Sequence, residues 1–450
     1  MTSARPQPGI PRDYQFPRFE RQKLSNGMGV IVAPARKLPL VSVAVVLDVS
    51  AVDDPPGREG LAELTAQALR EGTLQRDGAR LTVDFEKLGT SIETGSEWTS
   101  TVASMSLHRD RLQPAIGLLS EVLLEPAFRE ADISRLRAER LAERMQILAE
   151  PRGLADESFS RFVYDKGARY HEPAGGDATS IAKISQVDVS RFYQAMYTPD
   201  AATVIIAGDI SVDEGVALAE RSFKGWSGVR SMGVRVPDMS ARSGRNIELV
   251  AKRDAEQSEL RIGHVGVPRS HENYFDIVVM NAILGGLFSS RINLNLREKH
   301  GYTYGASSFF DWRRHSGPFV ISTAVQSEAT AASIRETLYE VDRMRTEEVS
   351  DGELTLATSY LAGVFPIRYE TTASIVSALA NLVSFGLPDD YYDTYRAKIG
   401  SVTTRGVLDA ARAHVRAEDL QMVVVGNPDV VQESLVELEM PFSVREPEPS

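Results

Sequence analysis

The sequence predicts an α+β fold built from two homologous sandwich halves, each a sheet with helices packed on one face. Three observations carry that expectation: an internal repeat at a nearly constant offset, strands and helices that interleave without a regular βα alternation, and a polar seam near the middle of the chain.

The repeat rests on three separated matches. "SVAVVLDV" (42–49) reads as a strand, and "ELRIGHVG" (259–266) as its weaker counterpart 217 positions later. The buried-strand pattern "TVIIAGD" (203–209) returns as "QMVVVGN" (421–427), shifted by 218. "FEKLGTSIETG" (85–95) matches "REKHGYTYGAS" (297–307) at a shift of 212, sharing Glu-Lys-x-Gly. Apolar residues recur at helical intervals in 133–149, 332–344 and 354–365. Each half therefore reads as strand, helix, helix, strand, a pair of long helices and a final strand. The seam "KGWSGVRSMGVRVPDMSARSGRN" (224–246) has no apolar period, which sets an N-terminal domain at 1–225, a linker at 226–245 and a C-terminal domain at 246–450.

A chain of 450 residues suits two domains, and 42% hydrophobic with 25% charged residues is the composition of a globular protein. The net charge of −12, with no local basic patch, disfavours nucleic acid and anionic membrane as partners. The absence of cysteine excludes disulfides, thiolate zinc sites and cysteine nucleophiles. No apolar run reaches the ~20 residues of a membrane span. Prolines stand where a signal peptide would carry its apolar core, so a cytoplasmic protein is expected as written, or a periplasmic one if the N-terminus has been trimmed. The closing "REPEPS" reads as disordered.

Aligning the halves sets Arg297 opposite Phe85 and Tyr304 opposite Ile92, so the second copy carries a guanidinium and a phenol where the first is apolar. With a helix ending at "NLNLREK", a turn at Gly301 and a strand opening at "YTYGASS", both side chains can face one cleft. Arginine presents donors suited to a carbonyl, and a tyrosine hydroxyl can donate to a developing oxyanion. The alternative is structural: Arg297 caps its helix, Tyr304 is half buried on a strand, and His300 is a solvated or capping residue. Gly285 and Gly286 read as a helix C-cap followed by an N-cap serine.

The order of "LSNGMGVIVAPA" (24–35), "GREGLAELTAQALREGT" (57–73), "LLEPAF" (123–128), "FYQAMYTPDAATVIIAGD" (192–209) and "FSSRINLNLREKHGYTYGASS" (288–308) resembles the pitrilysin/insulinase metallopeptidases over residues ~20 to 435. The resemblance implies two sandwich domains of the LuxS/MPP-like metallopeptidase type. It also implies an inverted H-x-x-E-H zinc motif on a first-half helix, with a later glutamate as third ligand. Here the motif window reads Glu63-Leu64-Thr65-Ala66-Gln67: Glu63 and Gln67 replace the imidazoles, Ala66 replaces the general base, and only Glu143 survives as the third-ligand position. Alanine accepts no proton, so no metal is expected in this chain, and Glu63 with Glu143 more often make a solvated or salt-bridged face than a cation site.

Arg297 and Tyr304, by contrast, match the family's substrate-holding pair. The resemblance therefore implies a subunit inactive alone, in a heterodimer with a homologous zinc-bearing subunit, supplying Arg297 and Tyr304 in trans to bind peptide and stabilise the oxyanion. Zinc is expected in that partner. The alternative is a scaffold of the same fold with no part in proteolysis. A self-contained enzyme would have only Glu63 and Glu143 to work with. The hairpin "FFDWRRHSGPF" (309–319) is expected at a chamber wall or a subunit contact.

Overall fold

The computed structural model describes residues 14–231 and 239–447. The first sheet contains β1 (Glu20–Lys23), β2 (Gly29–Pro34), β3 (Leu40–Leu47), β4 (Glu93–Ser96), β5 (Thr101–His108) and β6 (Ala202–Gly208), in the order β1-β2-β6-β3-β5-β4. The second contains β7 (Asn246–Ala251), β8 (Gln257–Val265), β9 (Ala306–Phe310), β10 (Pro318–Gln326), β11 (Gln421–Gly426) and β12 (Phe442–Arg445), in the order β12-β7-β11-β8-β10-β9. Of the expected linker 226–245, residues 232–238 lie outside the described residues.

Ladder registers test the repeat residue by residue. Ala207 faces Ser42 and Val425 faces Glu259, which reproduces the offsets of 218 and 217. The third match needs correction. Gly89 and Gly301 both take positive φ, +72° and +68°, so the helix ends do correspond at a shift of 212. In the strands that follow, Thr94 faces Ala103 and Ser308 faces Ile321, which sets β9 against β4 at a shift of 214. The second half therefore carries two extra residues between Gly301 and β9. Ala306, not Tyr304, lies opposite Ile92, and Tyr304 belongs to the longer connection. The outer strands break the symmetry as well: β1 runs antiparallel to β2, whereas β12 runs parallel to β7.

Helices on one face describe only half of each sandwich. The other face of each sheet is covered by a helix from the opposite half: Thr372–Phe385 crosses β3 and β6, while Pro151–Val163 crosses β11 and β8. Ile31, Ala44, Val46, Ile205 and Ala207 of the first sheet consequently pack into a core with second-half residues. Phe159, Phe162 and Val163 pack against Val423 and Val425. Burying each such large apolar side chain is worth roughly 1.5–3 kcal/mol, so the two halves are one folding body. The apolar run Tyr274–Lys299, long enough by composition to cross a bilayer, lies mostly within the second core.

The hairpin 309–319 clasps the two halves. Arg313, 6% exposed, lies over Trp98 at 4.5 Å and Tyr170 at 4.4 Å and donates to Asp311 at 2.9 Å. Arg314 pairs with Asp48 and donates to the Ser384 carbonyl at 2.8 Å. Tyr164 donates to the Ser316 carbonyl at 3.1 Å. Removing a guanidinium from a desolvated aromatic pair costs about 2 kcal/mol or more per contact. With two such contacts, Arg313→Ala should lower unfolding free energy by about 4 kcal/mol, seen as a lower urea midpoint at unchanged slope.

The C-terminal expectation is also corrected. Arg445 closes β12 by donating to Glu248 and Ser158, and Glu446 pairs with Arg253, so this stretch is tied down as far as residue 446; residues 448–450 lie outside the described residues.

One titration is built into the second sheet. His264 on β8 accepts from the Arg416 N–H at 2.9 Å and donates to the Val265 carbonyl at 2.8 Å. Burial, reinforced by Arg416, lowers its pKa to about 4. Above pH 6.5 both folded and unfolded states hold this imidazole neutral. Below it the unfolded chain takes up a proton that the folded one refuses, so stability falls as pH drops from 6.5 towards 4. The loss should reach about 3 kcal/mol and be absent in His264→Gln, measured by urea unfolding at successive pH values.

Candidate functional site

The first-half site is built on the helix Leu61–Ala68. It starts at Gly60, whose φ of +96° and whose closeness to the Gly175 carbonyl, 2.3 Å from where a Cβ would lie, both demand glycine. The Asp54 carboxylate anchors this helix end, accepting from the Gly60 and Ala62 N–H groups at 2.7 Å each and from Arg169 at 3.0 Å. Burial pushes the Asp54 carboxyl up to about 7 against the pull of those three partners.

The motif residues lie one turn further on. Gln67 donates to Glu63 Oε1 at 2.8 Å, and the Ser96 N–H of β4 donates to Glu63 Oε2 at 2.7 Å, so both carboxylate oxygens are engaged. Ala66 is buried and offers nothing to a proton. Glu143, on the long helix Glu130–Ala149, is 58% exposed and pairs with Arg140 at 3.4 Å. The cleft beside it, about 320 Å³, is lined by Arg140, Arg144, Trp98 and Glu157. Arg140 and Arg144 donate to the Gly175 and Gly176 carbonyls at 3.3 and 3.2 Å, which places two guanidinium charges beside the third-ligand position. A zinc ion does not fit this donor set: one carboxylate is occupied twice over, the other is paired with arginine, and no imidazole is present. Among the described residues no group of three or more His, Asp or Glu side chains is arranged to hold a metal. Burial, then the nearby Glu63 and Asp311 carboxylates, raise the pKa of Glu97 next to this site.

The second-half residues stand on less regular backbone. Ala282–Gly286 and Leu294–Lys299 are π-helical turns, a geometry frequent where side chains are re-aimed. Gly285 is not a C-cap: a Cβ there would meet Ser308 at 2.4–2.8 Å, so this glycine lets the turn approach β9. Ser290 precedes the short helix Arg291–Asn293 without making a capping bond.

Arg297 lies over the Phe288 ring at 4.4 Å, with Glu298 3.6 Å from Nη1, and Nη1 is buried without a hydrogen bond. Phe288 is itself 71% exposed. Tyr304 is 92% exposed on the connection to β9, neither on a strand nor half buried. Thr303 pins that connection through its hydroxyl to the Ala324 carbonyl at 2.6 Å, and His300 stacks on Tyr302 at 4.9 Å. Both partners of the Arg297 guanidinium, Phe288 and Glu298, belong to the second half.

Sequence reasoning did not find the Asp54–Arg169 anchor, the Ser96 N–H or Phe288. Phe288 had a signal, an aromatic just ahead of a basic helix end. The other two depend on which distant residues fold together.

Two family models match the chain: "Insulinase (Peptidase family M16)" over residues 30–170 and "Peptidase M16 inactive domain" over residues 183–361. The chain is 22% identical over 365 residues to the uncharacterized zinc protease YmxG of Bacillus subtilis, covering 80% of this chain and 86% of that one. It is 22% identical over 371 residues to the non-peptidase homolog YmxG of Helicobacter pylori, covering 82% and 84%. Its fold matches the crystal structure of a peptidase M16 inactive domain from Pseudomonas fluorescens with a TM-score of 0.84 at 24% identity, over 91% of this chain and 98% of that one. With two matching halves, one motif helix at the expected place and its zinc-binding chemistry replaced, the chain belongs to the peptidase M16 (insulinase) family.

Proposed function

We propose that this chain is the non-catalytic subunit of a heterodimeric zinc peptidase, completing the peptide chamber of a homologous partner and supplying Arg297 and Tyr304 to it in trans. The observation that carries this reading is the asymmetry between the two sites. The first-half motif is sealed by its own hydrogen bonds, whereas Arg297 Nη1 makes no hydrogen bond, with only the adjacent Glu298 carboxylate 3.6 Å away, and Tyr304 is 92% exposed.

In the assembled enzyme the partner's zinc would polarise the scissile carbonyl and activate water. This chain's share is positioning. Arg297, its guanidinium held flat on Phe288, donates to a substrate backbone carbonyl. Tyr304 donates its hydroxyl to the oxyanion as the carbonyl becomes tetrahedral, where an aimed donor is worth most.

A scaffold role is the second reading, and one observation favours it: Arg297 is held by Phe288 and Glu298 of its own half, while Tyr304 stands exposed. Peptide cleavage by this chain, by a homologous H-x-x-E-H chain and by their mixture separates the readings. Activity that appears strongly only in the mixture and vanishes with chelator is expected. Chelator-sensitive cleavage by this chain alone would contradict the proposal.

A further inference from the structure

We propose that Glu63, at the first imidazole position of the family motif, acts in this chain as a cap that closes the free edge of the first sheet against an added strand. β4 is the outermost strand of that sheet. The turn after it is closed by the Glu97 N–H donating to the Ser100 carbonyl at 3.1 Å. From that bonded pair the antiparallel ladder alternates, so Thr94 and Ser96 direct their N–H and C=O groups away from β5. Such an edge is a template for strand addition by an extended peptide.

At Ser96 the template is already taken. Glu63 Oε2 accepts that N–H at 2.7 Å, and Gln67, the second replaced imidazole, holds Oε1 at 2.8 Å. The two substitutions that remove the metal ligands thus form a single device: an acceptor and the tether that aims it. An incoming strand could pair at Thr94 but would meet an occupied donor and a negative charge one step further on.

The second half closes its own outer strand in the same manner with different chemistry. Asn293 Oδ1 accepts the Ala306 N–H at 2.8 Å, and Asn281 donates to the Ser308 carbonyl at 2.9 Å. Two independent side-chain solutions at equivalent edges argue that closure is a property of the fold's use here, not an accident of one substitution. If the proposed function holds, peptide in the assembled enzyme is held at the partner's edge and not at this one; the closure itself does not rest on that reading.

Amide hydrogen exchange on the full chain tests it. Glu63→Ala should speed exchange at Ser96 by about 10- to 100-fold, the loss of one charge-assisted bond, while Glu63→Gln, whose amide oxygen still accepts, should stay within a few-fold of wild type. A fluorescent ten-residue peptide of alternating threonine and valine should bind Glu63→Ala and not wild type. Unchanged exchange at Ser96 in Glu63→Ala, or equal peptide binding by both proteins, would overturn the proposal. If Glu63→Ala fails to fold, Gln67→Leu, which cuts only the tether, should give a smaller rise at Ser96, and no rise would overturn it equally. None of these readouts needs a partner or turnover, so their failure is separable from failure of the proposed function.

Discussion

Arg297→Ala combined with Tyr304→Phe should lower turnover of the reconstituted complex by about 10²- to 10³-fold while leaving the complex intact on gel filtration. The magnitude follows from what an aimed donor at an oxyanion contributes, about 3–4 kcal/mol, to which the carbonyl contact adds. The two single variants should differ in kind. Tyr304→Phe removes a donor that acts mainly in the transition state, so kcat and kcat/KM should fall together. Arg297→Ala removes a contact made to substrate and transition state alike, so KM should rise with kcat less affected. Both changes leave the fold alone: Tyr304 is exposed, and the contacts of Arg297 are one aromatic ring and one adjacent carboxylate. Unchanged turnover in the double variant would favour the scaffold.

Asp54→Ala should be the most destabilising single substitution near the first-half site, costing about 3 kcal/mol. Its carboxylate is fully buried and serves two N–H groups at the start of the motif helix as well as Arg169. Removing it strands two backbone donors and loosens a buried guanidinium, and breaking one side of a buried pair is costly even where the pair itself contributes little. Arg169 keeps its bonds to the Ala51 and Ala174 carbonyls and its place over Trp98, which limits the loss. Asp54→Asn, retaining one acceptor, should cost less. Differential scanning calorimetry of both variants at pH 7.5 checks the order, and equal melting temperatures for wild type and Asp54→Ala would refute it.

The parts of this fold that were legible in the sequence are those whose signal is local. β3, β6 and β11 are central strands, buried on both faces, and write themselves as continuous apolar runs. β1, "ERQK", and β4, "ETGS", are short, polar edge strands whose existence depends on a neighbour. The repeat was visible because its anchors are turns and core strands. Its third match failed halfway because Glu-Lys-x-Gly fixes a helix end, while the two extra residues before β9 leave no mark in a short alignment. The exchange of helices had an unread signal: "TASIVSALANLVSF" is apolar on nearly every side, as a helix between two packed surfaces must be. At the motif, the sequence revealed what this chain lacks: both imidazoles, and the general base in whose place Ala66 stands. It could not reveal that Glu63 and Gln67 had found a new partner in Ser96, since that contact spans 33 positions and depends on which way an edge strand turns its amides.

The account stands or falls on where Tyr304 points in the assembled enzyme. A photoreactive benzophenone side chain placed at position 304, irradiated in complex with the zinc-bearing partner and a peptide substrate, reads that directly. Cross-links to the peptide and to partner residues flanking the H-x-x-E-H helix are predicted. Cross-links confined to this chain, with none to peptide or partner, would contradict the division of labour proposed between the two subunits.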